Sequence, residues 1–70
     1  MKKQIFELTD EYIELVKLLK LLRIAESGGH AKIMVDSGEV LLNGELEYRK
    51  RAKLRSGDKI EVFDIEIVIN

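Results

Sequence analysis

The sequence predicts an α+β domain in which two helices pack on a small, mainly antiparallel sheet. Two segments in the first half carry apolar residues at helical spacing, and a Ser-Gly-Gly start precedes the second of them. Asn43-Gly44 then marks a tight turn, and the C-terminal segment Lys59–Ile69 alternates between apolar and charged residues as strands do. Helices followed by strands are the order expected when the helices cover one face of a sheet.

Length and composition favour one domain spanning residues 1–70. The hydrophobic share is 46%, which allows an efficient core in a chain so short that it buries only about 60% of its unfolded surface. No linker, internal repeat or low-complexity tract divides the chain. There is no cysteine, and no apolar run approaches the roughly 20 residues of a membrane span, so we expect a soluble cytoplasmic protein.

The N-terminal third predicts a strand followed by a helix. The strand is Lys3–Leu8, and Thr9 or Asp10 then offers a cap for a helix from about Glu11 to Leu22 with a wide apolar face. One edge of this helix carries three cations, either as a solvated face or as an auxiliary phosphate contact: Lys17, Lys20 and Arg23.

The second helix has signals at both ends. Ser27 can cap it with its hydroxyl, and Gly38 can end it in the left-handed conformation, so it should cover roughly residues 28 to 37. Gly28 and Gly29 lie at its start, where exposed backbone N–H groups suit an anion and missing side chains allow close approach. The alternative is that this glycine pair serves only to start the helix.

A hairpin should follow the second helix. The strand Val40–Leu42 is expected to turn at Asn43 and Gly44, both of which need positive φ, and to return through Glu45–Tyr48. Tyr48 could stack on a base or pack on the sheet.

Two further strands should end the chain. Lys59–Val62 and Ile65–Ile69 alternate, and the phase slips at Phe63-Asp64, where a bulge or tight bend belongs. The N-terminal strand is expected to join the C-terminal one, because each alone would be a marginal edge.

The segment from Tyr48 to Lys59 differs in charge from the rest of the chain. With six basic residues and one acid it carries +5, whereas the whole chain carries −1 and the remainder therefore −6. An extended backbone would direct Ala52 and Leu54 to one side and alternate cations to the other. Such a patch is typical of contact with nucleic acid, a solubilising surface or a protein contact being the alternatives. The cations that should form it are Arg49, Lys50, Arg51, Lys53 and Arg55.

An ordered set of spaced residues also resembles a known family. The set comprises Glu26-Ser27 with Ala31-Lys32, Gly38-x-Val40-x-Leu42-Asn43-Gly44, the basic stretch, and Gly57-Asp58-x-Ile60-x-Val62. This order resembles the S-four RNA-binding domain, also called the alpha-L motif, and in particular its short stand-alone bacterial members. The resemblance covers about half the chain in spaced positions.

The resemblance implies that the second helix and the hairpin face structured RNA and recognise it by shape and phosphate. Carried to this chain, it implicates Ser27, Lys32, Asn43 and the basic positions after the hairpin. The expected partner is ribosomal or transfer RNA, with weak or no binding to duplex DNA, because the acidic remainder of the chain repels a long polyanion.

No catalytic, metal or cofactor site is predicted. His30 is the only histidine, and we expect it to be a helix residue near the surface. The leading hypothesis is therefore a non-enzymatic RNA-binding protein. The alternative is a small protein-interaction adaptor whose basic strand binds an acidic partner, and a small enzyme is a third hypothesis without a nucleophile or base to support it.

Overall fold

Two helices and a five-stranded sheet share one hydrophobic core in the computed structural model, which describes residues 1–70. This arrangement confirms the predicted α+β class. The elements in chain order are β1 (Lys2–Phe6), β2 (Ile13–Glu14), α1 (Leu15–Leu21), α2 (Gly28–Asp36), β3 (Val40–Leu42), β4 (Glu45–Leu46), β5 (Lys53–Leu54), β6 (Lys59–Val62) and β7 (Ile65–Ile69). Neither helix has the length and apolar character that crossing a membrane requires.

The main sheet has the strand order β1-β7-β6-β3-β4, and β2 pairs with β5 in a separate two-stranded sheet. The N-terminal strand does join the C-terminal one, through a parallel β1–β7 pair, and all other pairs are antiparallel. Alternate residues of the central strands face the core and are buried: Val40, Ile60, Val62, Ile67 and Ile69. The helices contribute Leu15, Leu18, Leu19, Ala31, Met34 and Val35.

The second helix has the predicted ends. The N–H of His30 donates to the Ser27 hydroxyl at 3.1 Å, so Ser27 caps α2. Gly38 follows the helix with a φ of +73°, which a glycine adopts without strain. The bend predicted at Phe63 is also confirmed, as a tight turn between β6 and β7 in which Phe63 has a φ of 55°.

The predicted start of α1 is wrong. The helix begins at Leu15, not Glu11, because Ile13 and Glu14 are extended and pair with Leu54 and Lys53 of β5. The apolar spacing over these positions fits either conformation, and pairing with a distant strand decided between them.

The expected cap at Thr9 or Asp10 is also absent from this helix. The residue before α1 is Glu14, which makes no side-chain cap. Instead, the N–H groups of Leu15 and Val16 donate to the carbonyls of Ala52 and Lys50, at 2.9 and 3.1 Å. The first donors of a helix need acceptors, and here a remote segment supplies them.

Two strands are shorter than predicted. The first ends at Phe6 and not at Leu8, and β4 ends at Leu46 and not at Tyr48. The main chain after β4 remains bonded to β3 for one more residue, because the N–H of Glu47 donates to the carbonyl of Val40 at 2.9 Å.

Candidate nucleic-acid interface

The segment of residues 49–55, here called the basic segment, lies beside the end of α2. Lys50 Nζ is 3.1 Å from Asp36 Oδ1 in the last turn of that helix. The Tyr48 ring packs against Gly38, where a methyl group on the glycine would lie only 3.1 Å from the tyrosine hydroxyl oxygen. Helix α2, the turn after it and the basic segment therefore form one continuous surface.

Buried anchors hold the basic segment in place. Ala52 and Leu54 are 3% and 0% exposed, and the main chain is bonded to the start of α1. Residues 49 to 52 form a turn, closed by the N–H of Ala52 donating to the Arg49 carbonyl at 3.2 Å, and only Lys53–Leu54 is a strand. The predicted alternation of exposed cations with buried apolar residues is therefore present from Arg51 to Arg55. It does not extend to Arg49.

Arg49 is bound to a buried carboxylate. Its Nε and Nη2 donate to the two oxygens of Glu47 at 3.1 and 3.0 Å, and its backbone N–H donates to Oε2 at 3.0 Å. The side-chain hydrogen bond from Arg49 lowers the pKa of Glu47, although burial acts in the opposite direction. Arg49 is thus not the free cation that its sequence context predicts, because this pairing compensates much of its charge.

Two more predicted cations have carboxylate partners. Lys50 pairs with Asp36, and Arg55 lies 3.5 Å from Glu11. Both pairs are largely exposed to solvent, so each is weak and open to competition from a phosphate. Lys59, which the charge count included, lies outside the basic segment and pairs with Glu61 and Glu66 of the main sheet.

Arg51, Lys53 and Lys32 have no carboxylate partner. Lys53 lies over the Tyr12 ring with its Nζ 4.9 Å from the ring centre, and Arg55 lies over the same ring at 5.8 Å. Lys32 is exposed on α2, one turn before Asp36. Lys17 and Lys20 on α1 are also exposed and have no carboxylate partner. The same holds for Arg23, which lies beyond the helix end with a φ of 60°.

The start of α2 is open. The N–H groups of Gly28 and Gly29 have no acceptor in the protein. A Cβ at Gly28 would meet nothing within 4 Å, and one at Gly29 would meet only Ser27 Oγ at 3.9 Å, so packing does not demand glycine at either position. His30 is engaged locally, because its Nδ1 accepts the N–H of Glu26 at 3.1 Å.

Asn43 has a structural task in the hairpin. Both turn residues have positive φ as predicted, 51° at Asn43 and 88° at Gly44. The Asn43 Nδ2 donates to Asp58 at 3.1 Å, and its Oδ1 accepts the N–H of Lys59 at 2.9 Å. Both ends of the amide are therefore committed to the β5–β6 turn, which leaves this side chain less available to RNA than the family pattern implied.

Two residues of this surface were not predicted from the sequence. Glu47 binds Arg49, and although residues two apart share one face of an extended strand, nothing in the sequence indicates that this acid is the buried one and takes Arg49 as its partner. Tyr12 supports Lys53 and Arg55, whereas its apolar spacing predicts a place in α1. Its position follows from the β2–β5 pair, for which no local signal exists.

The S4 domain family matches residues 6–70 of the chain. Among curated proteins, YbcJ of Escherichia coli is 43% identical over 49 residues, which are 70% of each chain. RlbA of Bacillus subtilis, named as a probable ribosome maturation protein, is 42% identical over 52 residues, or 74% of this chain and 73% of that one.

A solved structure shares the fold. The solution structure of YbcJ from Escherichia coli, described as revealing an alfaL motif involved in RNA-binding, aligns with a TM-score of 0.67 and 36% identity. The alignment covers 91% of this chain and 85% of YbcJ. Two helices on a mainly antiparallel sheet are thus the arrangement of an αL fold.

Proposed function

The chain belongs to the S4 domain family, and from this membership we propose that it is a non-enzymatic protein that binds structured RNA, either ribosomal or transfer RNA. The observation that carries the proposal is the anchored basic segment, on which Arg51 and Lys53 are exposed without a carboxylate partner. Lys32 adds a third such cation on the adjoining helix.

The names of the relatives support the proposal of RNA binding. YbcJ carries a motif described as involved in RNA-binding, and RlbA is named for ribosome maturation. Ribosomal RNA is accordingly the first substrate to test.

The geometry favours recognition of phosphates and shape. Buried Ala52 and Leu54 fix the main chain, so the cations need not be ordered from a flexible loop when RNA binds. The free N–H groups of Gly28 and Gly29 can donate to a phosphate oxygen at the start of α2. Tyr12 lies beneath two cations, so Tyr48, which is 56% exposed beside Gly38, is the one aromatic ring of this surface left for stacking on a splayed base.

The test compares two charge-matched double variants. Arg51→Gln with Lys53→Gln should weaken binding to a ribosomal RNA hairpin and reduce the slope of log affinity against log salt by about 2, or roughly one for each lost phosphate contact. Lys2→Gln with Lys3→Gln removes the same charge from strand β1 and should leave the slope almost unchanged. Fluorescence anisotropy over a salt series measures both.

Glutamine is used in preference to glutamate because Lys53 lies opposite Glu14 in the β2–β5 pair, where a second acid would repel the first. Circular dichroism should show both double variants folded. Equal loss of affinity in the two would mean that net charge, and not the basic segment, governs binding, and the proposed interface would then be wrong.

A further inference from the structure

An open cleft of about 620 Å³ lies between α1 and the loop that joins β1 to β2. Phe6, Leu8 and Leu21 contribute apolar surface to it, and Asp10, Glu11 and Glu14 contribute carboxylates. We refer to these six residues as the acidic cleft. The cleft exists because residues 11 and 12 lie outside α1 and the chain forms strand β2 before the helix begins.

We propose that the acidic cleft binds a cationic segment of a partner protein, in which lysine or arginine residues flank a leucine-sized apolar side chain. This interaction is separate from RNA binding and goes beyond the proposed function.

The apolar part of the cleft is uncovered. Leu21 is 55% exposed although it lies in a helix whose other leucines are buried, and Tyr12 at the cleft wall is 37% exposed. Apolar surface in a concave site with a few polar groups at its edge is the usual composition of a binding cleft. A leucine-sized side chain placed here would bury Leu21.

The charges of the cleft select a cationic partner. Asp10 and Glu14 have no ion pair and no side-chain hydrogen bond, and Lys17 is the one cation among the lining residues. Glu11 is partly committed to Arg55 at 3.5 Å. Free carboxylates on the rim attract lysine or arginine and repel a phosphate backbone, so the same site disfavours RNA.

The basic segment of a second copy of this chain does not fit the cleft. It has the right charge, but its apolar residues Ala52 and Leu54 are 3% and 0% exposed in the core. They could enter the cleft of a neighbour only if this domain opened.

The position of the cleft allows both surfaces to be used together. Tyr12 lines the cleft and also lies under Lys53 and Arg55 of the basic segment. A cationic segment bound in the cleft would thus extend the positive surface at its border.

The probe is a fluorescein-labelled peptide, Gly-Lys-Leu-Lys-Gly-Leu-Lys-Gly, titrated with the full chain in the absence of RNA and followed by anisotropy. Asp10→Asn with Glu14→Gln should weaken binding about tenfold. The matched control is Glu39→Gln with Glu45→Gln, which removes two exposed carboxylates without ion pairs from elsewhere. It should have little effect.

A second pair of variants tests the apolar contribution to peptide binding. Leu21→Ser should weaken peptide binding several-fold because it removes the uncovered leucine. Leu46→Ser changes a leucine of nearly equal exposure, 52%, on strand β4 and should leave binding unchanged. In a two-dimensional amide spectrum, the peptide should shift signals of residues 8–14 and 17–21.

Several outcomes would overturn the proposal. The peptide could fail to bind, or a version with serine in place of leucine could bind equally well. The two carboxylate variants could weaken binding to the same extent, which would indicate attraction by net charge. If the cleft variants instead weakened RNA binding, the cleft would belong to the RNA surface. RNA binding that is not weakened by these variants, together with lost peptide binding, is the expected result.

Discussion

At the scale of single residues, Glu47 is the one charged side chain in the buried part of the chain, and it is bonded to Arg49. Because this bonding lowers the pKa of Glu47 from its ordinary 4.5, the carboxylate stabilises the fold above that pH, and the contribution is lost as pH falls through the folded pKa. Glu47→Gln should therefore reduce the free energy of unfolding most at neutral pH, and the difference from wild type should shrink in acid. Urea unfolding across this range measures it. Exposed Glu45→Gln is the control, with a change below about 0.5 kcal/mol at neutral pH. A Glu47→Gln difference that did not depend on pH would contradict the assignment.

At the scale of elements, the β3–β4 hairpin depends on its turn. Gly44 has a φ of +88°, so Gly44→Val should destabilise the domain by about 1–3 kcal/mol, since a β-branched residue resists that conformation. No neighbour lies within 4 Å of a Cβ there, so any loss would come from the backbone and not from a clash. Thermal unfolding gives the comparison. Gly29→Ala, in α2 with space for a methyl group, should leave the melting temperature unchanged or raise it. An unchanged melting temperature for Gly44→Val would show that the turn tolerates a side chain.

At the scale of the whole molecule, charge is divided between a basic segment and an acidic remainder. The remainder carries −6, so a long duplex is repelled wherever it approaches away from the basic segment, and duplex DNA should bind weakly at physiological salt. A folded RNA can contact at the same time the three cations of α2 and the basic segment that have no carboxylate partner: Lys32, Arg51 and Lys53. Three phosphate contacts predict a slope of log affinity against log salt of about −3. Anisotropy with a hairpin RNA and a duplex DNA of equal length over a salt series tests this. Equal affinity for the two would rule out recognition of RNA structure.

The features that the sequence predicted well are those set by neighbouring residues. The Ser27 cap, the positive φ of Gly38 and the Asn43-Gly44 turn follow from the chemistry of each residue and its next few neighbours. The alternation of the C-terminal strands likewise follows from the residues themselves, because one face of a strand must be apolar when the other meets water. The same reasoning located the basic segment and its buried Ala52 and Leu54.

What only the tertiary structure decided concerns groups far apart in the chain. The start of α1 was set by β5, which pairs with Ile13 and Glu14 and leaves residues 8–12 to line the acidic cleft. The availability of each cation was set by carboxylates that packing brought close, such as Asp36 for Lys50 and Glu11 for Arg55. Local residue chemistry determines how a segment can fold and which charges it carries. Which charges are free, and which apolar residues remain uncovered, depends on the partners that a folded chain places beside them.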